Sequence, residues 1–249
     1  MNPFPNQANK PENLRDLVKQ IQDLLFSGQI RKGDRLPSER DLAGIFHTSR
    51  PVVREALRIL ETKGLIHIEK GRAGGIFVSL DMDRMLTDHW KLLMQGQIIS
   101  LNHLVEVRRE LEGRAARNAA LKAKSKDLLQ LELQIEKIRQ CSAGSRMDVP
   151  GFIKADTDFH LNLSMIDGNP CNTYILQSIY NLHEYFDRFI RINKDGMKRN
   201  LEDLSGLFEA VLTHRAETAE KLAVSHIDRF NFDPDFQLSE SSHSSSVNS

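Results

Sequence analysis

Leu36 to Leu57 reads LPSERDLAGIFHTSRPVVREAL. Two short helical patterns lie in it with almost nothing between them. Ser38 is placed to cap the first, with Asp41 three residues on in the manner of a capping box. Gly44 to Thr48 forms the turn. Thr48 or Ser49 can cap the second helix, and Pro51 falls in its first turn, where a missing N–H costs nothing. Val53, Ala56, Leu57 and Leu60 then make one buried stripe. Gly64 ends the helix. Arg40, Arg50 and Arg54 are spread over both helices, which raises the question of a polyanionic partner.

The flanks complete the pattern. Upstream, Leu14, Leu17, Val18, Ile21, Leu24 and Leu25 repeat at helical spacing from Glu12 onward, until Gly28 and Gly33 break the run. Downstream, LIHIE and GIFVS are short β-branched runs around Lys70-Gly71-Arg72-Ala73-Gly74-Gly75. They predict a hairpin with a glycine-rich, basic tip. Helix, short helix, turn, helix and hairpin over residues 12–80 make a winged helix-turn-helix. In that fold the second helix of the pair enters the DNA major groove and its N-terminal residues meet base edges. The candidates for DNA are Arg40, Ser49, Arg50, Val52 and Arg54, with Lys70, Gly71 and Arg72 at the wing tip. A solvated helix face is the plain alternative for any one arginine.

Net charge is zero over 249 residues, but residues 1–80 hold 13 Lys and Arg against 9 Asp and Glu. The front is therefore +4 and the remainder −4, the asymmetry of a chain whose front meets polyanion. No apolar run approaches the ~18–20 residues that cross a bilayer. The N-terminus lacks the layout of a secretory signal, and Cys141 and Cys171 are too few for a disulfide framework. The expectation is a cytoplasmic protein without membrane association. Residues 1–11, with Pro3, Pro5 and Pro11, read as a flexible arm. Residues 84–230 read as all helical, in spans near 84–95, 100–123, 125–141, 151–167, 171–193, 198–212 and 215–230, with no strand beyond Asp81. The serine-rich stretch 231–249 reads as a disordered tail. The fold class is mainly α: a winged helix-turn-helix followed by an all-α helical bundle.

Polar residues stand in odd places in that bundle. Arg108 shares a stripe with Leu104, Leu111 and Ala115, and Glu112 lies four residues on, within pairing reach. Asp156 and His160 are one turn apart on the face of Phe152, Phe159 and Leu163. His226 sits among Leu222, Ala223 and Ile227. A carboxylate and an imidazole at i, i+4 can chelate one ion, and His226 could complete three protein ligands. A hydrogen-bonded core histidine is the competing reading of the same spacing.

LPSERDLA, SRPVVREAL and GLIHIEKGRAGGIFV, in order, resemble the N-terminal domain of the GntR family of bacterial transcription regulators. EVRRELEGRAARNAA (Glu106–Ala120), DTDFHLNLSMIDGNP (Asp156–Pro170) and AVLTHRAETAEKLAVSHI (Ala210–Ile227) resemble the FCD effector-binding domain of its FadR subfamily. The resemblance implies a homodimer on a roughly palindromic double-stranded operator, acting as a ligand-responsive repressor of a metabolic operon. It implies a small organic-acid effector held with the help of Arg108, Asp156, His160 and His226. It also implies a divalent metal, zinc or similar, on Asp156, His160 and His226. The family's fourth ligand, a histidine, has Asp203-Leu204 in its place, so Asp203 is a candidate substitute. Two readings compete. A metal-dependent enzyme with an accessory winged domain lacks a nucleophile elbow, a P-loop and HExxH. A nonspecific DNA binder fits poorly with zero net charge.

Overall fold

The computed structural model describes residues 9–71, 74–143, 147–182, 190–232 and 236–238. The chain divides into two compact units after Leu86.

In the first unit, α1 (Leu14–Phe26) is capped by Asn13, whose side chain accepts the Asp16 N–H. Leu17, Val18, Ile21 and Leu25 are its buried face. A two-residue strand, β1 (Arg35–Leu36), precedes α2 (Glu39–Ile45) and α3 (Arg50–Thr62). Leu36 is thus extended and does not begin the helix. The residue before a proline is biased out of the α region, and Pro37 follows it. Ser38 caps α2 as its spacing predicts, accepting the Asp41 N–H. Ser49 occupies the N-cap of α3 but its side chain makes no capping bond. The stripe Val53, Ala56, Leu57 and Leu60 is fully buried. β2 (Ile66–Glu69) and β3 (Gly75–Val78) form the hairpin, and β1 adds to it in the antiparallel order β1-β3-β2. Arg72 and Ala73 of the tip lie outside the described residues. Of the expected arm, only residues 9–11 are described, and Pro11 is buried.

Gly64 ends α3 with φ +65, and a Cβ there would stand 2.9 Å from the Asp81 carbonyl oxygen. The same turn accepts the Ser79 hydroxyl and the Asp81 N–H on the Gly64 carbonyl. Left-handed backbone costs a side-chain-bearing residue about 1–2 kcal/mol, and the close carbonyl adds to that. Gly64→Ala should therefore destabilise the first unit by at least that much. The reading is the urea midpoint of the circular-dichroism transition that tryptophan fluorescence does not follow, since the one tryptophan, Trp90, is in the second unit.

The division falls within α4 (Met82–Gln95). The second unit continues through α5 (Leu101–Lys122), α6 (Ser125–Ala143), α7 (Val149–Asp167), α8 (Pro170–Tyr180), β4 (Ile190–Ile192), α9 (Lys194–Leu212), α10 (Ala216–Phe232) and β5 (Phe236–Leu238). Its core gathers Ala115, Ala116 and Ala119 of α5 with Leu131, Phe159, Leu204, Leu207 and Ala223. The small residues of α5 let neighbours approach closely: a Cβ on Gly113 would lie 2.9 Å from Val224 Cγ2 on α10. That approach draws Arg108 and Glu112 into the interior.

Three expectations are corrected here. The 171–193 helix stops at Tyr180. β4 and β5 pair antiparallel, Ile190 to Leu238 and Ile192 to Phe236, so strands do occur beyond Asp81. Residues 231 and 232 belong to α10, and 236–238 are a paired strand, so the tail is not uniformly disordered; its other residues lie outside those described. The strand pairing has a plain cause. The β-branched Ile190-Arg191-Ile192 finds its hydrogen-bonding partner more than forty residues away, and local periodicity carries no record of such a pairing.

Candidate functional site

On the first unit, α2 and α3 bring their charged residues together. Arg54 donates through Nε and Nη2 to both carboxylate oxygens of Glu39, at 3.2 and 3.0 Å for the shorter contacts. Arg50 Nη2 lies 3.9 Å from the same carboxylate. The Arg54 hydrogen bond holds the Glu39 carboxyl below its ordinary range, and Glu39 in turn raises the Arg54 guanidinium. Arg40 is largely exposed, 3.6 Å from Asp41. On the wing, Arg35 Nη2 donates to the Gly74 carbonyl at 2.5 Å and its guanidinium sits 5.8 Å from the Phe77 ring centroid. Lys70 and Gly71 are exposed.

On the second unit, a polar centre is closed off from solvent. Arg108, Glu112, Asp156, His160, Asn200 and His226 are all buried. Arg108 donates through Nε to Glu112 Oε1 at 2.8 Å and through Nη2 to the Tyr180 hydroxyl at 2.8 Å. Tyr180 donates to Glu112 Oε1 at 2.9 Å. Glu112 Oε2 is 2.6 Å from His160 Nδ1, an ion-pair separation but off the line of a hydrogen bond. The His160 ring stacks on that of His226 at 5.1 Å. Asn200 Nδ2 donates to Asp156 Oδ1 at 2.8 Å. Asp203 meets His226 Nδ1 at 3.4 Å and Arg229 at 2.9 Å. Burial opposes charge on Glu112, but Arg108 and His160 more than offset it and hold the carboxyl well below its ordinary range. Burial likewise works against the His160 cation, and Glu112 raises its pKa nonetheless.

Asp156, His160 and His226 each offer one ligand atom, all within 4.8 Å of one another. His160 Nδ1 is occupied by Glu112, but Nε2 is buried without a hydrogen bond. Buried polar atoms are normally satisfied, so an orphaned Nε2 beside a carboxylate and a second imidazole fits a missing partner. Two nitrogens and one oxygen suit a zinc-like ion.

Residues 14–78 match the description "Bacterial regulatory proteins, gntR family", and residues 103–229 match the FCD domain. An uncharacterised HTH-type transcriptional regulator of Bacillus subtilis, YcbG, is 31% identical over 72% of this chain and 72% of that protein. The chain belongs to the gntR family of bacterial regulatory proteins. Other relatives in the family are the Uxu operon regulator of Haemophilus influenzae, 26% identical over 79% of this chain and 72% of that protein, and the transcriptional repressor NanR of Cronobacter sakazakii, 30% identical over 68% and 70%. The solved structure of Streptococcus agalactiae GntR shares the fold, with a TM-score of 0.66 at 21% identity, covering 86% of this chain and 97% of that one. This gntR-family chain is a ligand-responsive DNA-binding transcription regulator with an FCD domain, and the enzyme reading finds no support among its relatives. No described helix is long and apolar enough to cross a membrane.

Within this family member, the structure gathers Arg50 and Arg54 at one edge and leaves Arg40 pointing to solvent. Val52 is half-buried and packs against the first unit's core. Lys70 and Gly71 are at the wing, and Arg72 falls outside the described residues. In the second unit, Arg108, Asp156, His160 and His226 do converge. Arg108, expected to receive an effector carboxylate, already holds Glu112 and Tyr180. Asp203, considered as a fourth ligand, is taken by Arg229 and by His226 Nδ1. Glu39, Arg35, Tyr180, Asn200 and Arg229 were not singled out from the sequence. Glu39 carries a faint signal, since an acidic residue in the first turn of α2 reads as a helix-end preference; the others are joined only by the fold.

Proposed function

We propose that the chain is a cytoplasmic, homodimeric repressor of the FadR subfamily that controls a metabolic operon and is released by a small carboxylate. Residues 12–80 bind DNA, and residues 84–230 bind the effector and dimerise. The buried convergence of Asp156, His160 and His226, with the His160 Nε2 left without a hydrogen bond, carries the effector-site reading. Those three residues would hold a divalent ion, which when bound supplies a Lewis-acidic partner for a carboxylate. Arg108 adds a buried positive charge one residue away through Glu112. The operon regulator and the repressor among the relatives support the regulatory role.

The effector must favour one of two arrangements of the protein, or it switches nothing. Arg50, Arg54 and the α3 N-terminus would read base edges, with Arg40, Lys70, Gly71 and Arg72 on backbone and groove wall. The test is selection and sequencing of bound DNA from a random pool at near-physiological salt. A short, two-fold symmetric consensus, released by one of a panel of small organic acids, is the expected result. A folded protein that enriches no sequence, with or without the acids, would overturn the proposal.

A further inference from the structure

We infer that Glu112, Asp203 and Asn200 are the positioning residues of the buried centre, each fixing one of the three groups His160, His226 and Asp156, so that Asp203 works from outside the ligand set. The inference rests on the metal reading proposed above and specifies its architecture.

The pairing is complementary at every arm. His160 Nδ1 faces Glu112 Oε2 at 2.6 Å, and His226 Nδ1 faces Asp203 Oδ2 at 3.4 Å. Each of those carboxylates is backed by an arginine on its other oxygen: Arg108 Nε at 2.8 Å on Glu112 and Arg229 Nη1 at 2.9 Å on Asp203. Asp156, which needs a donor and not an acceptor, receives the Asn200 amide at 2.8 Å. A carboxylate at Nδ1 favours the proton there and leaves Nε2 with its lone pair. Two stacked imidazoles set in that tautomer both offer Nε2 as the ligand atom. Asp203 has one oxygen on Arg229 and the other on His226 Nδ1, and the close group of ligand atoms is Asp156, His160 and His226 without it. On this reading the centre has three protein ligands, and its remaining positions fall to water or to the bound acid.

The two imidazole arms differ in access. Glu112 is sealed in, with only 2% of its side chain exposed, whereas Asp203 is 17% and Arg229 52% exposed. The Asp203 arm can thus be altered with less damage to the core. The experiment uses the full chain, stripped and reloaded with cobalt(II) and with zinc. It measures affinity by competition with a chelator and ligand number from the visible cobalt spectrum. Asp203→Asn should weaken binding about 10–100-fold with an unchanged cobalt spectrum. Arg229→Gln, at the exposed end, should weaken it less. His226→Ala and Asp156→Ala should abolish tight binding. Loss of binding in Asp203→Asn as complete as in His226→Ala, with a spectrum reporting one ligand fewer, would make Asp203 a ligand and overturn the inference. Affinity within twofold of the wild type in Asp203→Asn would overturn it too. A wild-type chain that takes up neither ion would overturn the metal reading itself, a result separate from either of those.

Discussion

Replacing Glu112 by alanine is expected to destabilise the helical unit by about 3–5 kcal/mol, the usual cost of breaking a buried ion pair by removing one partner. Glu112 accepts from Arg108 Nε and from the Tyr180 hydroxyl and faces His160. Without it the Arg108 cation stays buried and loses the partner of its Nε, while its contacts with the Tyr180 hydroxyl and ring remain. The loss should be read in urea through Trp90, whose indole donates to Ser178 Oγ within the same unit. The double variant Arg108→Met with Glu112→Leu should recover part of the loss, because it removes the buried cation with the carboxylate, while the Tyr180 hydroxyl and His160 Nδ1 lose their partners. A single variant within 1 kcal/mol of the wild type would mean that the network relaxes or admits water. The pH dependence has a definite sign. Since the folded-state carboxyl lies below its unfolded value, its contribution is present at neutral pH. It is lost as pH falls through the folded value, so wild type and variant should converge only in strongly acidic solution.

Arg50→Ala should cost discrimination more than affinity. At the first helical position of α3, Arg50 has one ionic neighbour among the described residues, Glu39 at 3.9 Å. Arg54 has its Nε and Nη2 engaged by that carboxylate. A bidentate arginine on guanine is worth about 1–3 kcal/mol of discrimination, or roughly 5–150-fold. Titrating the selected operator and single-base variants should show that loss confined to one position per half-site for Arg50→Ala. Arg54→Ala, with one guanidinium edge already committed to Glu39, should show a smaller loss at its own position. Equal loss on every sequence from Arg50→Ala would remove it from base reading.

The first unit was readable from the chain because its signals are local. The stripes of α1 and α3 are set by residues three and four apart, and Leu17, Ile21, Val53 and Leu57 are buried as that spacing requires. The pairing of Asp156 with His160 was readable for the same reason. His226 stood out as a histidine on the apolar face of its helix, and the resemblance placed it with them. Tyr180, Asn200 and Arg229 reach the centre from helices whose own periodicity gives no hint of it. Resemblance made Asp203 a candidate ligand, by its place where the family has a histidine, while Arg229, one turn past His226 on α10, shares its carboxylate. β4 and β5 escaped notice because a three-residue strand is defined by its distant partner.

The pairing of β4 with β5 has a mechanical consequence. β4 leads into α9, which carries Asn200 and Asp203, and β5 follows α10, which carries His226 and Arg229. At the opposite end the two helices are joined by the short turn through Thr213, His214 and Arg215. The helical hairpin is therefore a closed frame, stapled at both ends, with half of the polar centre mounted inside it. Such a frame can tilt as one piece, but its two sides cannot splay unless the staple opens. While that pairing holds, a ligand that pulls on His226 is expected to move Asn200 and Asp203 with it.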